Sequence, residues 1–335
     1  MSSKLYKAIF LLIGIVTLGF MVNSLGVNEI WQNIRKTGFW FIPIIGIWLV
    51  IYILNAFAFK AIIQEPSLPH SYLPFSTILR ITISGYAINY VTPFVALGGE
   101  PYRVMELKRS LGTNKATSSV LLYGLMHMFS HVIFWLLSIV LIVTYLPLDN
   151  MMLTGCLVAF AVGILITYWF LRVYRTGVTI STFNLFQRIP FVRKWAKPFA
   201  EAKANSLREI DEQVRILYAD RKASFYKSLI LEIAARVVTC LEIYFIALAI
   251  GLNMSFFDSL IVSSASSLFA NLIFFLPMQL GAREGGLVLA LKSVNLPGSA
   301  GIFVGLITRI RELVWIVIGL LLIRTFKSAP PEEES

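Results

Sequence analysis

The sequence predicts an all-α polytopic membrane protein with about six full spans and two re-entrant helical hairpins. The first observation is composition: the 335 residues are 57% hydrophobic and only 14% charged, whereas an ordinary soluble domain has about 25% charged residues. The second is that apolar runs of membrane length, about 20 residues in a helix, recur along the chain. These runs cover residues 8–22, 39–59, 118–145, 151–171, 228–250 and 299–323.

The first run follows Lys4 and Lys7 as in a signal peptide, but no small-residue cleavage site follows it, so we predict a retained span. Orientation follows from Lys and Arg, which are enriched on the cytoplasmic side. Segment 172–227 holds twelve Lys and Arg against five Asp and Glu, and the short link 146–150 holds no Lys or Arg. We therefore expect a plasma-membrane protein with 172–227 and both termini in the cytoplasm. Because the net charge of +11 lies mostly beside spans, nucleic-acid binding is not predicted.

Two further uncharged stretches, 81–99 and 259–282, are long enough to enter the membrane but contain Pro, Gly, Asn and Ser. In the predicted topology the residues that flank each stretch lie on one side of the membrane. Neither stretch makes a net crossing, so each is predicted to enter and return as a re-entrant hairpin.

The two hairpins resemble each other. Pro93 precedes Glu100 by seven residues and Pro277 precedes Glu284 by seven, an offset of 184 between the copies. Within one membrane domain of residues 1–335 we predict two inverted repeats, 39–145 and 223–325, joined by the cytoplasmic segment 172–227. Inverted repeats with broken helices are typical of transporters with alternating access. The predicted hairpin backbone positions are Pro93, Gly98, Gly99, Pro277, Gly281 and Gly285.

Irregular backbone at membrane depth is tolerated where it lines a cavity or is buried in protein. A helix that restarts there presents free N–H groups and a positive dipole end, which favour an anionic group such as phosphate. Charged residues near the restarts and within spans are therefore candidates for substrate binding; the alternative is that they pair only to hold the hairpins in place. The candidates are Glu100, Arg103, Arg236, Arg283, Glu284, Arg309, Arg311 and Glu312.

The run 299–323 carries three of these charges near its centre. Together they oppose membrane insertion by about 8 to 10 kcal/mol, which is comparable with what the apolar side chains of the run contribute. Arg309 and Glu312 share a helix face, whereas Arg311 points elsewhere. We expect such intramembrane charges to have a function.

His127 and His131 lie one helical turn apart in the run 118–145. A third ligand and an H-E-x-x-H pattern are both absent, so we predict a proton relay or a buried hydrogen bond rather than a metal site. Glu242 is a further candidate for the relay, and Glu232 is interpreted as a residue that reaches the cytoplasmic interface. Cys156 and Cys240 lie within predicted helices, which favours plain packing. No metal, cofactor or enzymatic activity is predicted.

The stretches 89–109, NYVTPFVALGGEPYRVMELKR, and 275–286, FLPMQLGAREGG, resemble the signature regions of the lysylphosphatidylglycerol synthase transmembrane family, also called the flippase-like or UPF0104 family. The resemblance extends over about 8–325 and implies movement of a lipid between leaflets. Bifunctional members carry a soluble aminoacyl-transferase domain after the membrane part, and this sequence stops at KSAPPEEES, so synthase activity is not expected. The family's motif positions fall on Gly98, Gly99, Glu100, Pro277, Gly281, Glu284 and Gly285.

The leading hypothesis is a flippase that moves a charged or phosphate-bearing lipid head group, with a membrane lipid as its partner. A secondary transporter of a small soluble anion is the alternative. A membrane-embedded transferase and an accessory scaffold are further classes, but the first needs a paired carboxylate site and the second does not explain buried charges. The sequence leaves the lipid and the oligomeric state open.

Overall fold

The computed structural model describes residues 25–92, 98–176, 204–272 and 282–324, together with residues 12, 15, 16 and 19–23. All the regular elements within these ranges are helices, and the ranges contain no β-strand. The predicted hairpin residues Pro93, Pro277 and Gly281 lie outside the described residues, as do most of the predicted first span and part of the predicted connecting segment.

Eleven α-helices are found in the described ranges, with two short 3₁₀ turns at Gly38–Trp40 and Pro69–Ser71. The α-helices are α1 (Val27–Thr37), α2 (Phe41–Ile63), α3 (Phe75–Val91), α4 (Gly99–Leu111), α5 (Thr113–Tyr145), α6 (Asn150–Thr176), α7 (Ala204–Ala219), α8 (Lys222–Ala249), α9 (Phe256–Leu272), α10 (Ala282–Ser293) and α11 (Ser299–Arg324).

Three helical stretches of the described chain are long and apolar enough to cross a membrane: Val27–Ile63, Thr113–Tyr145 and Asn150–Arg175. They contain the predicted spans 39–59, 118–145 and most of 151–171. Helices α8 and α11 contain the predicted spans 228–250 and 299–323 almost completely, and they are of similar length, but each carries three ionisable side chains in its middle part. The protein is thus an all-helical membrane protein with at least three helices of spanning character.

The stretch 81–99 is not one continuous helix, because α3 ends at Val91 and α4 begins at Gly99. The two helices lie side by side and antiparallel. Asn89, near the end of α3, accepts a hydrogen bond from the Gly99 backbone N–H at 2.6 Å, and Gly85, one turn earlier in α3, lies against Arg103, one turn later in α4.

Charge and glycine placement account for the short helix α4. Glu100 lies in its first turn and Lys108 and Arg109 in its last turn, where each sign of charge is favoured by the helix dipole. Gly112 then adopts a φ of 75° and donates its backbone N–H to the carbonyl of Lys108, a helix end that glycine adopts at low cost. α5 begins directly afterwards.

Helices α2 and α8 pack against each other along the centre of the molecule and form its most extensive helix pair. Around them, α3 packs on α11 and α9 packs on α5. The closest approach between α3 and α11 is at Gly319, where an added Cβ would lie 2.3 Å from Cβ of Ala87, and the Ser84 hydroxyl donates to the Gly319 carbonyl at 3.1 Å. Each half of the chain therefore packs on the other.

Candidate functional site

One group of buried charges lies where α10 begins beside the middle of α11. Glu284, in the first turn of α10, accepts from Nε of Arg309 at 2.7 Å, and Arg283 forms an ion pair with Glu312. Glu242 of α8 pairs with Arg311 of α11. We call this set the Arg311 cluster: Glu242, Arg283, Glu284, Arg309, Arg311 and Glu312.

Arg311 is the most enclosed member, with 0% of its side chain exposed. It donates two hydrogen bonds to Glu242, at 2.7 and 3.2 Å, and its guanidinium carbon lies 3.6 Å from the centre of the Trp48 ring. Among the described residues, Nη1 of Arg311 and Nη2 of Arg309 have no hydrogen-bond partner. Since an arginine only donates, these two buried N–H groups favour an acceptor, such as a phosphate oxygen.

A second group of charges surrounds His127 in the middle of α5. Nδ1 of His127 lies 2.8 Å from Oε2 of Glu232, whose side chain is 0% exposed. Nη2 of Arg236 lies 2.8 Å from Nε2 of the same imidazole. We call this set the His127 cluster: Glu100, Arg103, His127, Glu232 and Arg236.

Arg103 connects the α3–α4 hairpin to this cluster. Its Nη1 donates to Oε1 of Glu100 at 2.9 Å, and its guanidinium lies over the rings of Tyr86 and Tyr123, 5.0 and 5.5 Å from their centres. The Tyr86 hydroxyl in turn lies 3.3 Å from Nδ1 of His127. A cation over an aromatic face is stabilised when it is desolvated, so the two tyrosines hold Arg103 inside the protein.

Aromatic rings connect the two clusters. The ring centre of Tyr86 lies 5.8 Å from that of His127 and 5.5 Å from that of Tyr52. Tyr52 lies 5.8 Å from Trp48, which is the ring beneath Arg311. A continuous series of contacts therefore runs from one charged cluster to the other through the centre of the protein.

A cleft of about 440 Å³ opens between α4 and α5. Its walls are mainly apolar and include Val104, Val120 and Leu121, whereas Glu100 and Lys108 are its two charged lining residues. An apolar cleft with a few charged groups has the character of a site for an amphiphilic ligand. It reaches the His127 cluster at Glu100.

The structure distributes the predicted site residues over both clusters. Arg283, Glu284, Arg309, Arg311 and Glu312 lie in the Arg311 cluster, and Glu100, Arg103 and Arg236 lie in the His127 cluster.

Three placements differ from what the spacing suggested. Glu242, grouped with the histidines as a relay candidate, pairs with Arg311 instead. His131 lies in edge-to-face contact with His127, with the ring centres 5.3 Å apart, and has no carboxylate partner among the described residues. A Cβ at Gly285 would meet nothing within 4 Å, so no close approach explains that glycine.

Sequence reasoning missed several residues of the site. Glu232 was assigned to the interface but is fully buried against His127, and its i, i+4 spacing to Arg236 was the available signal. The rings of Trp48, Tyr52, Tyr86 and Tyr123 gave no signal, because aromatic residues are common in all apolar spans. Among the described residues no group of three His, Cys, Asp or Glu side chains is arranged to hold a metal ion.

Comparison with known proteins gives the family. The family described as the lysylphosphatidylglycerol synthase TM region matches residues 8–320. The chain belongs to the lysylphosphatidylglycerol synthase TM region family. A relative named UPF0104 membrane protein, from Methanothermobacter thermautotrophicus, is 23% identical over 338 residues, which cover 97% of each protein. No solved structure matches the chain. As expected from its sequence, this member of the family is a helical membrane protein.

Proposed function

We propose that the protein translocates a phosphate-bearing lipid head group across the plasma membrane while the acyl chains stay in the bilayer. The observation that carries the proposal is the pair of buried arginine donors, Nη2 of Arg309 and Nη1 of Arg311, that have no hydrogen-bond partner among the described residues near the start of α10. A phosphate oxygen supplies the missing acceptors, and the positive end of the α10 dipole favours its charge.

The position of the clusters along their helices supports translocation. His127 is close to the middle of α5, and Arg311 is at the middle of α11. A charged side chain at the centre of a bilayer is costly unless it is paired or serves transport. Charged side chains that bind a lipid head group halfway across the membrane are expected at the middle of the spanning helices, where both clusters lie.

Internal symmetry supports an alternating-access mechanism, in which two inverted repeats exchange roles. Helices α2 to α5 and α8 to α11 follow the same order of long, medium, short and long helices. Positions 127 and 311 are 184 residues apart, as are positions 48 and 232. His127 binds Glu232 of the other half, and Arg311 covers Trp48 of the other half. Both pairs of positions related by the offset of 184 are thus in contact across the two halves, which supports the proposed two-fold relation.

The cleft between α4 and α5 favours a lipid over a soluble anion. Its mainly apolar walls suit acyl chains, and its charged end at Glu100 leads to the His127 cluster. A transporter of a small soluble anion needs no apolar opening between its helices. In the proposed topology, with the N- and C-termini in the cytoplasm, the cleft opens toward the cytoplasmic leaflet.

The test is leaflet exchange in reconstituted vesicles. Phosphatidylglycerol with a dithionite-sensitive fluorophore on an acyl chain reports exchange, and release of trapped inorganic phosphate reports the soluble-anion alternative. We expect exchange by the wild type, and at least a tenfold lower rate for Glu284→Gln and Arg309→Ala, because each variant breaks a buried charge pair. The matched control is Glu212→Gln, which alters a pair with Arg215 that is half exposed on both sides.

Equal exchange in wild type, variants and empty vesicles would overturn the proposal. Phosphate release without lipid exchange would favour the soluble-anion transporter. Thermal unfolding of each variant in detergent separates loss of transport from loss of fold.

A further inference from the structure

We infer that Nε2 of His127 is a proton-binding site, and that a proton bound there displaces the adjacent Arg236 guanidinium from the ring. The inferred role of this site, to couple proton binding to head-group binding, rests on the proposed function. The site itself rests on the geometry of the His127 cluster alone.

The contact with Glu232 assigns the resting state of the imidazole. Glu232 only accepts, so the 2.8 Å contact between its Oε2 and Nδ1 of His127 places a hydrogen on Nδ1. Nη2 of Arg236 lies 2.8 Å from Nε2 and 2.9 Å from Nδ1, so it faces the ring between the two nitrogens rather than the lone pair of one of them. His127 is therefore assigned as neutral with Nδ1 protonated, and the lone pair of Nε2, beside the Arg236 guanidinium, is the ring position that can receive a proton.

Helices α3, α4 and α8 each contribute a polar or charged group near His127. The guanidinium of Arg103 is balanced by Glu100, and Arg236 is balanced by Glu232. The cluster is therefore neutral when His127 is neutral, and one added proton gives it a charge of about +1. The titratable and charged groups that face the imidazole are Tyr86 of α3, Arg103 of α4, Tyr123 and His131 of α5, and Glu232 and Arg236 of α8.

The proton step forms one N–H bond and breaks no covalent bond. A proton from water adds to the Nε2 lone pair, and the resulting imidazolium repels the Arg236 guanidinium that faces the ring. Glu232 keeps its hydrogen bond to Nδ1 and now faces an imidazolium. His127 is the more accessible of the two partners, with 24% of its side chain exposed against 0% for Glu232.

Protonation releases Arg236 toward an anion. Its Nε already lacks a partner among the described residues, and its Nη2 lies 3.6 Å from Glu232, beyond a normal hydrogen bond. Repelled by the imidazolium, the guanidinium can then direct these donors at a phosphate oxygen. One proton and one phosphate monoanion bind together with no net change of charge, so the two are carried in the same direction.

Vesicles with a pH gradient and a clamped membrane potential test the coupling, with the acyl-labelled phosphatidylglycerol as the probe. We expect the wild type to accumulate the probe in the leaflet that faces the alkaline side, up to about tenfold per pH unit for a one-to-one ratio. His127→Gln is expected to lose this accumulation, because glutamine can hydrogen-bond to both Glu232 and Arg236 but takes no proton at these pH values. Ser138→Ala, on the same helix, is the control, since among the described residues its hydroxyl donates to the carbonyl of Phe134 within its own helix.

A titration independent of transport tests the site. The ¹⁵N NMR signal of His127 Nε2, assigned by its loss in His127→Gln, should change from that of an acceptor nitrogen to that of a protonated N–H as the pH falls. A signal that does not titrate overturns the proton site. Lipid exchange by the wild type that does not depend on the pH gradient overturns the coupling but leaves the proposed translocation intact. If the wild type exchanges no lipid at all, the result counts against the proposed function. The NMR titration then still decides whether Nε2 binds a proton.

Discussion

Arg311 shows at the scale of one residue how this protein keeps a charge inside an apolar helix. Its guanidinium is wholly enclosed, forms two hydrogen bonds to Glu242 and rests on Trp48. A buried charge is tolerated only where its partner and its hydrogen bonds replace water. Glu312, at 3.7 Å, is already paired with Arg283, so Glu242 is the main counterion.

Removing that counterion is expected to destabilise the fold. Glu242→Gln leaves Arg311 charged and buried, which costs about 3 kcal/mol. Glu212→Gln is expected to cost less than about 1 kcal/mol, since its pair with Arg215 is half exposed. Unfolding monitored in detergent measures both. The double variant Glu242→Gln/Arg311→Gln should recover part of the loss, and equal losses in the buried and exposed variants would contradict this account.

At the scale of elements, the α3–α4 hairpin depends on a backbone contact that only glycine allows. A Cβ at Gly99 would lie 2.2 Å from the Gly85 carbonyl oxygen and 2.8 Å from Oδ1 of Asn89. Neither the backbone oxygen nor the hydrogen-bonded amide can move freely. Gly99→Ala is therefore expected to destabilise the protein by about 1 to 3 kcal/mol.

Gly124→Ala is the matched control for this prediction. Gly124 lies within α5 and has nothing within 4 Å of its added Cβ, so alanine is expected to stabilise the helix by about 0.5 to 1 kcal/mol. Opposite signs in thermal unfolding of the two variants are the expected outcome. Loss of stability at both positions, or at neither, would show that the close approach does not set the hairpin.

A second element-level contact fixes helix α7 to the membrane part. Lys115 at the start of α5 pairs with Glu65 and donates to Gln213 of α7 at 2.7 Å. Burial alone would raise the pKa of Glu65, but the hydrogen bond and charge of Lys115 lower it overall. The ion pair therefore stabilises the fold above the unfolded-state pKa of about 4.3, and this contribution is lost as the pH falls through the lower folded-state pKa.

Glu65→Gln tests this pH dependence. At pH 7 the variant is expected to be less stable than the wild type by about 2 kcal/mol, the contribution of a hydrogen bond between charged groups. The difference should begin to shrink near the unfolded-state pKa of about 4.3 and should shrink further as the pH falls through the lower folded-state pKa of Glu65. Unfolding midpoints of the wild type and the variant, measured across pH 3 to 7, give this difference in stability. A difference that stays constant over that range would contradict a stabilising Glu65–Lys115 ion pair.

The whole molecule has a predicted orientation that follows from its charges. The loop between α5 and α6 has no Lys or Arg, whereas segment 172–227 is strongly basic, and basic loops stay in the cytoplasm. In a cysteine-free background, Pro147→Cys is expected to react with a membrane-impermeant maleimide in intact cells. Asp220→Cys, also exposed, should react only after permeabilisation, and the reverse pattern would invert the proposed topology.

How far the sequence predicted this protein depends on the range of the interactions involved. Membrane location, the family and the positions of the intramembrane charges follow from composition, local runs and motifs, because hydropathy is read within one helix. The helix break between Val91 and Gly99 was likewise predicted. Proline and glycine positions, and the distribution of Lys and Arg along the chain, are local features of the sequence.

The pairing of the charges was decided only by the tertiary structure. Glu242 faces Arg311 across 69 positions of sequence, and Glu232 faces His127 across 105. Counting from the helix end placed Glu232 near the interface, but the neighbouring helices cover it completely. Helical periodicity shows on which face of its helix a residue lies, but it does not show which other helix packs on that face. The partner of each buried charge is therefore determined only by how the helices pack together.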